Sequence, residues 1–274
     1  MYNNYNYFRD KGYVKINNIF SKKEISDFNK SLFNNLVTLS NTNKLSKNFK
    51  KYSEKNFQKY LDYIYKKKRL TFEKYYNFLQ GHISSYKLAS SKKILDTIAK
   101  LLNVKKESLL VGDLTLRIDN PGKSAAHLEL HQESSYYSEV KNFNKSILVW
   151  FPLQEIKKKQ GGLMILPYSQ KLKNKDLDPR PDNKGRITNV KFNQEKYEKK
   201  FGSYIFTGKP GSALFSNFKT LHGSTINESN KYRISAAFRY FSCEEKNFIP
   251  FRKFRVNKNF VLRNFNIKNF GKIS

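Results

Sequence analysis

The segment His131-Gln132-Glu133 places an imidazole and a carboxylate two residues apart. A second histidine, His222, follows 91 residues later, and Arg233 comes 11 residues after it. Two imidazoles and one carboxylate on one face of a metal ion leave coordination positions open, which is typical of non-haem Fe(II) sites that use O₂. A nearby arginine can bind the carboxylate of a co-substrate through two parallel hydrogen bonds. The order of these residues therefore predicts a mononuclear iron site that also holds a keto acid.

A second His-x-Glu pair, His127-Leu128-Glu129, precedes this segment. The chain has only four histidines, which are His82, His127, His131 and His222. On a strand, residues 127, 129, 131 and 133 would all point to one side, because side chains alternate with period two. Periodicity therefore leaves both pairs open as metal ligands.

Four segments of the chain, taken in order, resemble one known family. They are residues 8–14 with 19–25, residues 149–153, residues 161–167, and residues 209–215 with 222–224, Asn227 and Arg233. Together with the segment at residue 131, they are similar to the phytanoyl-CoA dioxygenase family of Fe(II)/2-oxoglutarate-dependent oxygenases. The resemblance extends over nearly the whole chain and implies a double-stranded β-helix, the jelly-roll barrel. It also identifies residues 8–25 with the family's opening strand and helix.

The resemblance implies that His131, Glu133 and His222 bind Fe(II), with 2-oxoglutarate and O₂ as co-substrates. It favours the later His-x-Glu pair, because Gln132 follows the histidine as in the family's His-Gln-Asp motif. The earlier pair, His127 and Glu129, is then expected to orient the metal ligands without binding the metal itself.

Three further residues are expected to bind 2-oxoglutarate. The resemblance implies that Arg233 and the hydroxyl group of Ser224 hold its distal carboxylate. Residues 114–119 alternate between aliphatic and polar side chains, which predicts a strand with two different faces. Arg117 is on the polar face, where it either joins these residues in a cavity or faces solvent.

The candidates for the substrate pocket lie close to the iron motif. Gln132 is inside the motif, and Tyr136 and Tyr137 follow it. Residues 178–186 contain two prolines and a glycine and are predicted to form a long loop, of the kind that often acts as a lid. Family members act on several classes of small molecule, so the sequence identifies neither the substrate nor the position oxidised.

The chain departs from the family pattern at two places. Glu133 stands where the family usually has Asp, and the extra methylene moves the carboxylate by roughly 1.5 Å, one C–C bond. Residues 167–170 read Pro-Tyr-Ser-Gln where the family has Pro-Gly-Ser-His. Glutamate is an acceptable oxygen ligand, so the iron site remains the expectation.

The composition predicts one folded domain. Of the 274 residues, 38% are hydrophobic and 15% aromatic, which is enough for a core despite the charge. Helical periodicity followed by short strands predicts a mainly β fold with flanking α-helices. We expect a helical flank at 1–108, a jelly-roll core at 109–245 and a C-terminal extension at 246–274.

Local signals place several elements. Ser21 with Glu24 predicts the start of one helix, and Ser91 that of another that ends near Asn103. Residues 41–80 are also predicted to be helical. The predicted strands are 146–153, 162–166, 204–206, 212–218 and 234–242.

The net charge of +31 is spread along the chain. Lysine clusters occur at residues 66–69, 157–159 and 171–175, but no single motif concentrates them. Specific nucleic-acid binding is therefore not expected, whereas non-specific adhesion to polyanions at low salt is. The charge favours an anionic small molecule as substrate, and the sequence does not determine the oligomeric state.

Cysteine usage and the N-terminus favour a cytoplasmic enzyme. Cys243 is the single cysteine, so no intramolecular disulfide can form. The first residues lack the plan of a signal peptide, and no run of about 18 apolar residues could span a membrane.

The sequence thus predicts an oxygenase that hydroxylates a C–H bond of a small molecule and releases succinate and CO₂. One alternative is a non-catalytic jelly-roll protein that binds a metal or ligand. It would be marked by loss of a metal ligand or of the arginine, and none is missing. Another alternative, an oxygenase acting on nucleic acid, would need stacking aromatics beside a concentrated basic groove.

Overall fold

The N-terminal part of the chain is mainly helical in the computed structural model, which describes residues 4–40, 51–122, 128–137, 143–172, 179–181, 187–189 and 194–246. Its helices are α1 Asn4–Lys11, α2 Lys22–Ser40, α3 Glu54–Lys67, α4 Arg69–Leu79, α5 Ile83–Ala89 and α6 Lys92–Leu102. A further helix, α7, spans Gln194–Phe201.

Helices α2 and α6 begin where the sequence predicts. The N–H of Ser21 donates to Glu24 Oε2 at 2.8 Å, and the N–H of Glu24 donates to Ser21 Oγ at 3.1 Å, which forms the capping box. Helix α6 follows Ser91 and ends at Asn103, whose backbone is left-handed with φ 51°. Helices α3 and α4 confirm the helical prediction for the described part of residues 41–80.

The strands form two main antiparallel sheets. They are β1 Tyr13–Ile16, β2 Leu109–Asp119, β3 Ser146–Pro152, β4 Leu163–Ile165, β5 Pro179–Pro181, β6 Ile187–Asn189, β7 Tyr204–Phe206, β8 Ala213–Asn217, β9 His222–Ser224 and β10 Arg233–Ser242. The larger sheet has the order β1-β8-β3-β10-β2, and the smaller one β7-β4-β9. The five strands predicted after residue 145 are confirmed to within one residue at each end.

Strand β3 lies at the centre of the fold, because both of its faces are buried. On one face, Ile147 and Phe151 belong to the hydrophobic core that the helices share. On the other face, Leu148 and Trp150 pack toward the three-stranded sheet. A strand buried on both sides needs a continuous apolar run. Two facing sheets with helices outside confirm the predicted jelly-roll class.

One local prediction was wrong. Residues 179–181 of the predicted loop form β5, which pairs with β6. Prolines are tolerated in a two-stranded ribbon because each strand has a free edge. The opening strand and helix expected within residues 8–25 are β1 and α2. Phe8–Lys11 ends helix α1, and Gly12, with φ 80°, separates that helix from β1.

Some predictions fall on residues that the structure does not describe. Asp178 and residues 182–186 of the predicted lid, residues 41–50, and most of the extension at 246–274 are among them. The division of the chain into a single domain with a flank and an extension stays a prediction.

Candidate active site

The two histidines face each other across a pair of backbone hydrogen bonds. The N–H of His131 donates to the carbonyl of His222 at 2.9 Å, and the N–H of His222 donates to the carbonyl of His131 at 3.0 Å. Gly223 permits this approach, because a Cβ there would lie 2.9 Å from the carbonyl oxygen of Leu128. Residues paired in this way carry their side chains on the same side of the ladder, and the ring centroids are 4.4 Å apart.

Backbone carbonyls select one tautomer of each imidazole. Nδ1 of His131 lies 2.8 Å from the carbonyl oxygen of Glu129, and Nδ1 of His222 lies 2.8 Å from that of Thr220. A carbonyl oxygen can only accept, so each Nδ1 carries the hydrogen and each Nε2 keeps its lone pair. Burial lowers the pKa of His131, and His222 lowers it further, which favours the neutral ring.

Glu133 completes the cluster from the start of a short 3₁₀ helix, Glu133–Tyr136. Gln132 before it is extended, so Glu133 points to the same side as His131. Its Oε1 lies 3.3 Å from Nε2 of His222 and 3.9 Å from Nε2 of His131. All three side chains are buried, and one ligand atom from each lies within 4.8 Å of the others.

The donor chemistry of this cluster fits a divalent metal ion. With both Nδ1 atoms protonated, the atoms that face one another are two Nε2 atoms, each with a lone pair, and a carboxylate oxygen. All three are hydrogen-bond acceptors. Acceptors that converge in a buried place repel one another unless a cation lies among them. Two histidines and one carboxylate are the donors of the facial site that suits Fe(II).

Arg239 contacts Glu133 through two parallel hydrogen bonds. Its Nε donates to Oε2 at 2.9 Å, and its Nη2 donates to Oε1 at 2.9 Å. Burial alone would raise the pKa of Glu133, but the neighbouring groups, with the charge of Arg239 first among them, hold the pKa well below its ordinary value. The carboxylate is therefore ionised and ready to bind a cation.

A second cluster of charges lies along β2 and β10, where Asp119 bridges two arginines. Arg233 donates to Asp119 Oδ2 from Nε, and Arg117 Nη2 donates to Oδ1 at 3.1 Å. Burial raises the pKa of Asp119, but the two guanidinium groups outweigh it and lower the pKa overall. Nη1 of Arg233 also donates to two backbone carbonyls, those of Gln160 and Thr225.

Both clusters line one cavity, which is partly open to solvent. The strand alternation allows Arg117 to face either a cavity or solvent. In the structure it faces this cavity. Because Asp119 and the carbonyls occupy most of its N–H groups, Arg233 in its present contacts offers one N–H of Nη2 to a ligand. A fork onto the co-substrate would require Arg233 to release one of these partners.

Two serine hydroxyls also line the cavity. Ser224 Oγ accepts from the N–H of Leu128 at 2.7 Å and donates to the carbonyl of Leu128 at 3.5 Å. The second bond is long and weak, so the hydroxyl hydrogen can turn toward a ligand. Ser235 Oγ is buried and has no hydrogen-bond partner among the described residues. A buried hydroxyl without a partner is costly, and an oxygen atom of a bound ligand would satisfy it.

The family model for phytanoyl-CoA dioxygenase matches residues 8–235. The chain belongs to the phytanoyl-CoA dioxygenase family. This confirms the resemblance seen in the sequence, and the chain is an Fe(II)- and 2-oxoglutarate-dependent oxygenase. No match was found among curated proteins.

Several solved structures share the fold. EctD from S. alaskensis with 2-oxoglutarate and 5-hydroxyectoine is 17% identical, with a TM-score of 0.59 over 90% of this chain and 78% of that chain. The non-haem alpha-ketoglutarate-dependent carbocyclase SnoK from nogalamycin biosynthesis is 14% identical, with a TM-score of 0.59 over 87% and 83%. AviO1 from Streptomyces viridochromogenes is 13% identical, with a TM-score of 0.56 over 90% and 96%.

One departure from the family pattern has a local structural consequence. Tyr168, which stands where the family has glycine, adopts a left-handed backbone with φ 66°. This conformation suits glycine and costs a larger residue free energy. Lys11 Nζ lies 3.9 Å from the centre of the Tyr168 ring and contributes a compensating cation–π contact.

The three residues predicted to contact the substrate have different surroundings in the structure. Tyr136 lies edge-on to the His131 ring, with centroids 5.6 Å apart. Tyr137 is buried against Phe218 and donates to a carboxylate oxygen of Asp113. Gln132 donates to the carbonyl of Lys219 and does not line the cavity in the described part of the chain. As substrate contacts, these residues stay predictions.

Among the described residues of 127–129, a backbone carbonyl and not a side chain orients a proposed metal ligand. Glu129 is exposed, and its backbone carbonyl, not its carboxylate, contacts His131. His127 lies outside the described residues. Residues 131–136 also do not continue a strand, because a 3₁₀ helix begins at Glu133.

Sequence reasoning missed Asp119, Ser235 and Arg239 as parts of the site. Strand periodicity could have found them. Asp119 is two residues after Arg117 on β2, and Ser235 and Arg239 are two and six residues after Arg233 on β10. In each case the period of two places the side chain on the cavity face.

Gly161→Ala should destabilise the protein and disturb Arg233. Gly161 has φ 69°, and a Cβ there would lie 2.7 Å from Nη1 of Arg233 and 2.6 Å from the carbonyl oxygen of Ile226. We expect the free energy of unfolding, measured with denaturant, to fall by about 1–3 kcal/mol. Gly81→Ala is the control, since a Cβ at Gly81 meets nothing within 4 Å. Equal stability of the two variants would contradict this account.

Proposed function

We propose that this oxygenase binds Fe(II) through His131, Glu133 and His222 and hydroxylates a C–H bond of a small, anionic molecule. The observation that carries the proposal is the convergence of two imidazole lone pairs and an ionised carboxylate in one buried place. Together with 2-oxoglutarate and O₂, the bound iron would supply the oxidising chemistry, with release of succinate and CO₂.

We propose that the arginines on β2 and β10 bind 2-oxoglutarate. The distal carboxylate would meet Nη2 of Arg233 and the guanidinium group of Arg117, while the hydroxyl of Ser224 donates a further hydrogen bond. These groups share one cavity with the metal ligands. Asp119 keeps both guanidinium groups in place, so little reorganisation is needed when the co-substrate binds.

The cavity walls favour a dry reaction site. Leu148, Trp150 and Leu163 line it from the two sheets. Apolar walls exclude water, and they strengthen the hydrogen bonds and ion pairs that orient the ligands.

The charge of the cavity supports an anionic substrate. Among the described residues, its lining includes the guanidinium groups of Arg117, Arg233 and Arg239 against the carboxylates of Asp119 and Glu133. A divalent metal and a doubly charged keto acid would cancel each other, so one positive charge remains. A small-molecule substrate is also in line with EctD, whose structure contains 5-hydroxyectoine, and with SnoK from nogalamycin biosynthesis.

Succinate release under air, with Fe(II) and 2-oxoglutarate, tests the proposal. A panel of small carboxylates, phosphates and neutral molecules of similar size should show stimulation mainly by anions. Turnover should persist between about 50 and 200 mM salt, because the buried contacts are screened little. If the protein binds Fe(II) and 2-oxoglutarate but forms no succinate with any compound, the non-catalytic alternative is favoured. Stimulation by neutral compounds alone would contradict the anionic class.

A further inference from the structure

Among the three arginines that line the cavity, Arg239 is the one that donates hydrogen bonds to a proposed metal ligand, Glu133. Besides its two bonds to Glu133, its Nη1 donates to Thr115 Oγ1 at 2.8 Å and to the carbonyl of Ala237 at 3.1 Å. Four of its five N–H groups thus have partners inside the protein. An arginine occupied in this way is poorly placed to bind a substrate.

A β-bulge in β2 lies opposite Arg239, while the pairing of β10 with β3 stays regular at that residue. Along β10 the pairing with β2 passes from Phe238 opposite Leu114 to Tyr240 opposite Val111, so two residues of β2 lie opposite Arg239. One of them is Gly112, where a Cβ would lie 2.6 Å from the Phe241 ring. Bulges of this kind are frequent next to active sites.

Glu133 depends on Arg239 for its orientation. The two imidazole Nε2 atoms near Oε1 are acceptors, so they cannot donate to the carboxylate. Arg239 is then the hydrogen-bond donor that holds both carboxylate oxygens among the described residues. Glutamate has one more rotatable bond than the aspartate usual in the family. Its side chain therefore loses more conformational entropy when the carboxylate binds a metal.

We infer that Arg239 is a positioning residue, which holds the carboxylate plane of Glu133 so that Oε1 faces the two imidazoles. The inference rests on the proposed metal site. A cation beside the site also repels a metal ion, but a guanidinium paired with a carboxylate is largely neutralised. The gain from orienting the ligand is therefore expected to exceed the repulsion.

Arg239→Gln should weaken binding of Co(II), used as an anaerobic probe for the metal, by about 10- to 100-fold. Calorimetry measures the dissociation constant, and the visible absorption of Co(II) reports the coordination of Glu133. Arg239→Lys keeps the charge but cannot form two parallel bonds, so it should recover only part of the affinity. Arg69→Gln, at an exposed ion pair on α4, is the matched control.

A double-mutant cycle with Glu133→Asp tests whether Arg239 acts through Glu133. The shorter aspartate withdraws from the guanidinium, so Arg239→Gln should change the affinity by less than about threefold in that background. Equal effects in the two backgrounds would show that Arg239 acts on the metal independently of Glu133.

The outcomes separate this inference from the proposed function. If the parent does not bind Co(II), the metal site and the inference both fail. If the parent binds Co(II) and Arg239→Gln leaves its affinity and spectrum unchanged or binds it more tightly, only the inference fails. Full recovery of affinity and spectrum by Arg239→Lys would also overturn it, because charge alone would then suffice. Should Arg239→Gln not fold by circular dichroism, Arg239→Lys decides by the same two readouts.

Discussion

His131→Ala and His222→Ala are each expected to abolish metal-dependent succinate formation. Each removes one of three protein ligands, and the remaining pair cannot hold the ion with useful affinity. The variants should still fold, because each loses one buried hydrogen bond from Nδ1 to a backbone carbonyl, a cost of about 1–3 kcal/mol. Anaerobic calorimetry with Fe(II) or Mn(II) measures the binding, and circular dichroism checks the fold.

His127→Ala is the control for these two variants, since it changes the other histidine near the motif. It should bind metal as tightly as the parent. If His127→Ala lost the metal while His131→Ala retained it, the earlier His-x-Glu pair would be the ligand pair. Such a result would reverse the assignment that both the family motif and the geometry favour.

Arg233→Ala is expected to weaken 2-oxoglutarate binding by about 2–5 kcal/mol while leaving Fe(II) binding within a few-fold. Removing the guanidinium takes away a charge-assisted donor in a buried cavity. It also leaves Asp119 with Arg117 as its remaining partner in the ion-pair cluster, so stability should fall as well. The Michaelis constant for 2-oxoglutarate and the thermal midpoint measure the two effects.

Conservative and distant variants separate these effects of Arg233. Arg233→Lys should recover only part of the 2-oxoglutarate affinity, because an ammonium group cannot make the same set of directed bonds. Arg69→Ala, at an exposed ion pair, should leave both the Michaelis constant and the metal affinity unchanged. An unaltered Michaelis constant in Arg233→Ala would exclude Arg233 from the co-substrate site.

The Asp119 cluster explains why two arginines can share a buried cavity. Two guanidinium groups on neighbouring strands would repel each other, and a carboxylate between them offsets that repulsion. The result is a preformed site with one net positive charge, suited to one carboxylate of a ligand. Arg239 and Glu133 form a second pair of the same kind at the metal end of the cavity.

Among the helices that the structure describes, none combines the length and the apolar character required to cross a membrane. Among the described residues, no lysine lines the cavity, and its positive charge comes from arginines. Attraction of the proposed anionic substrate would therefore depend on a few buried residues more than on the net charge of +31.

The sequence by itself determined the fold class, the boundaries of five strands and the family. Strand β3 is recognisable because a strand buried on both faces must be apolar throughout. Helix α2 is recognisable because its capping box and helical stripe are local patterns. Local signals of this kind depend on residues close together in the chain, so they can be recognised from the sequence alone.

Only the tertiary structure decided which groups meet in the cavity. The pairing of His131 with His222 joins residues 91 positions apart, and strand periodicity places Arg239 on the cavity face without showing that it contacts Glu133. Arg233, expected to be open to a co-substrate, is held by Asp119 and two carbonyls. Contacts between distant residues depend on register and packing, and period-two alternation specifies a face of a strand but not the partner across the sheet.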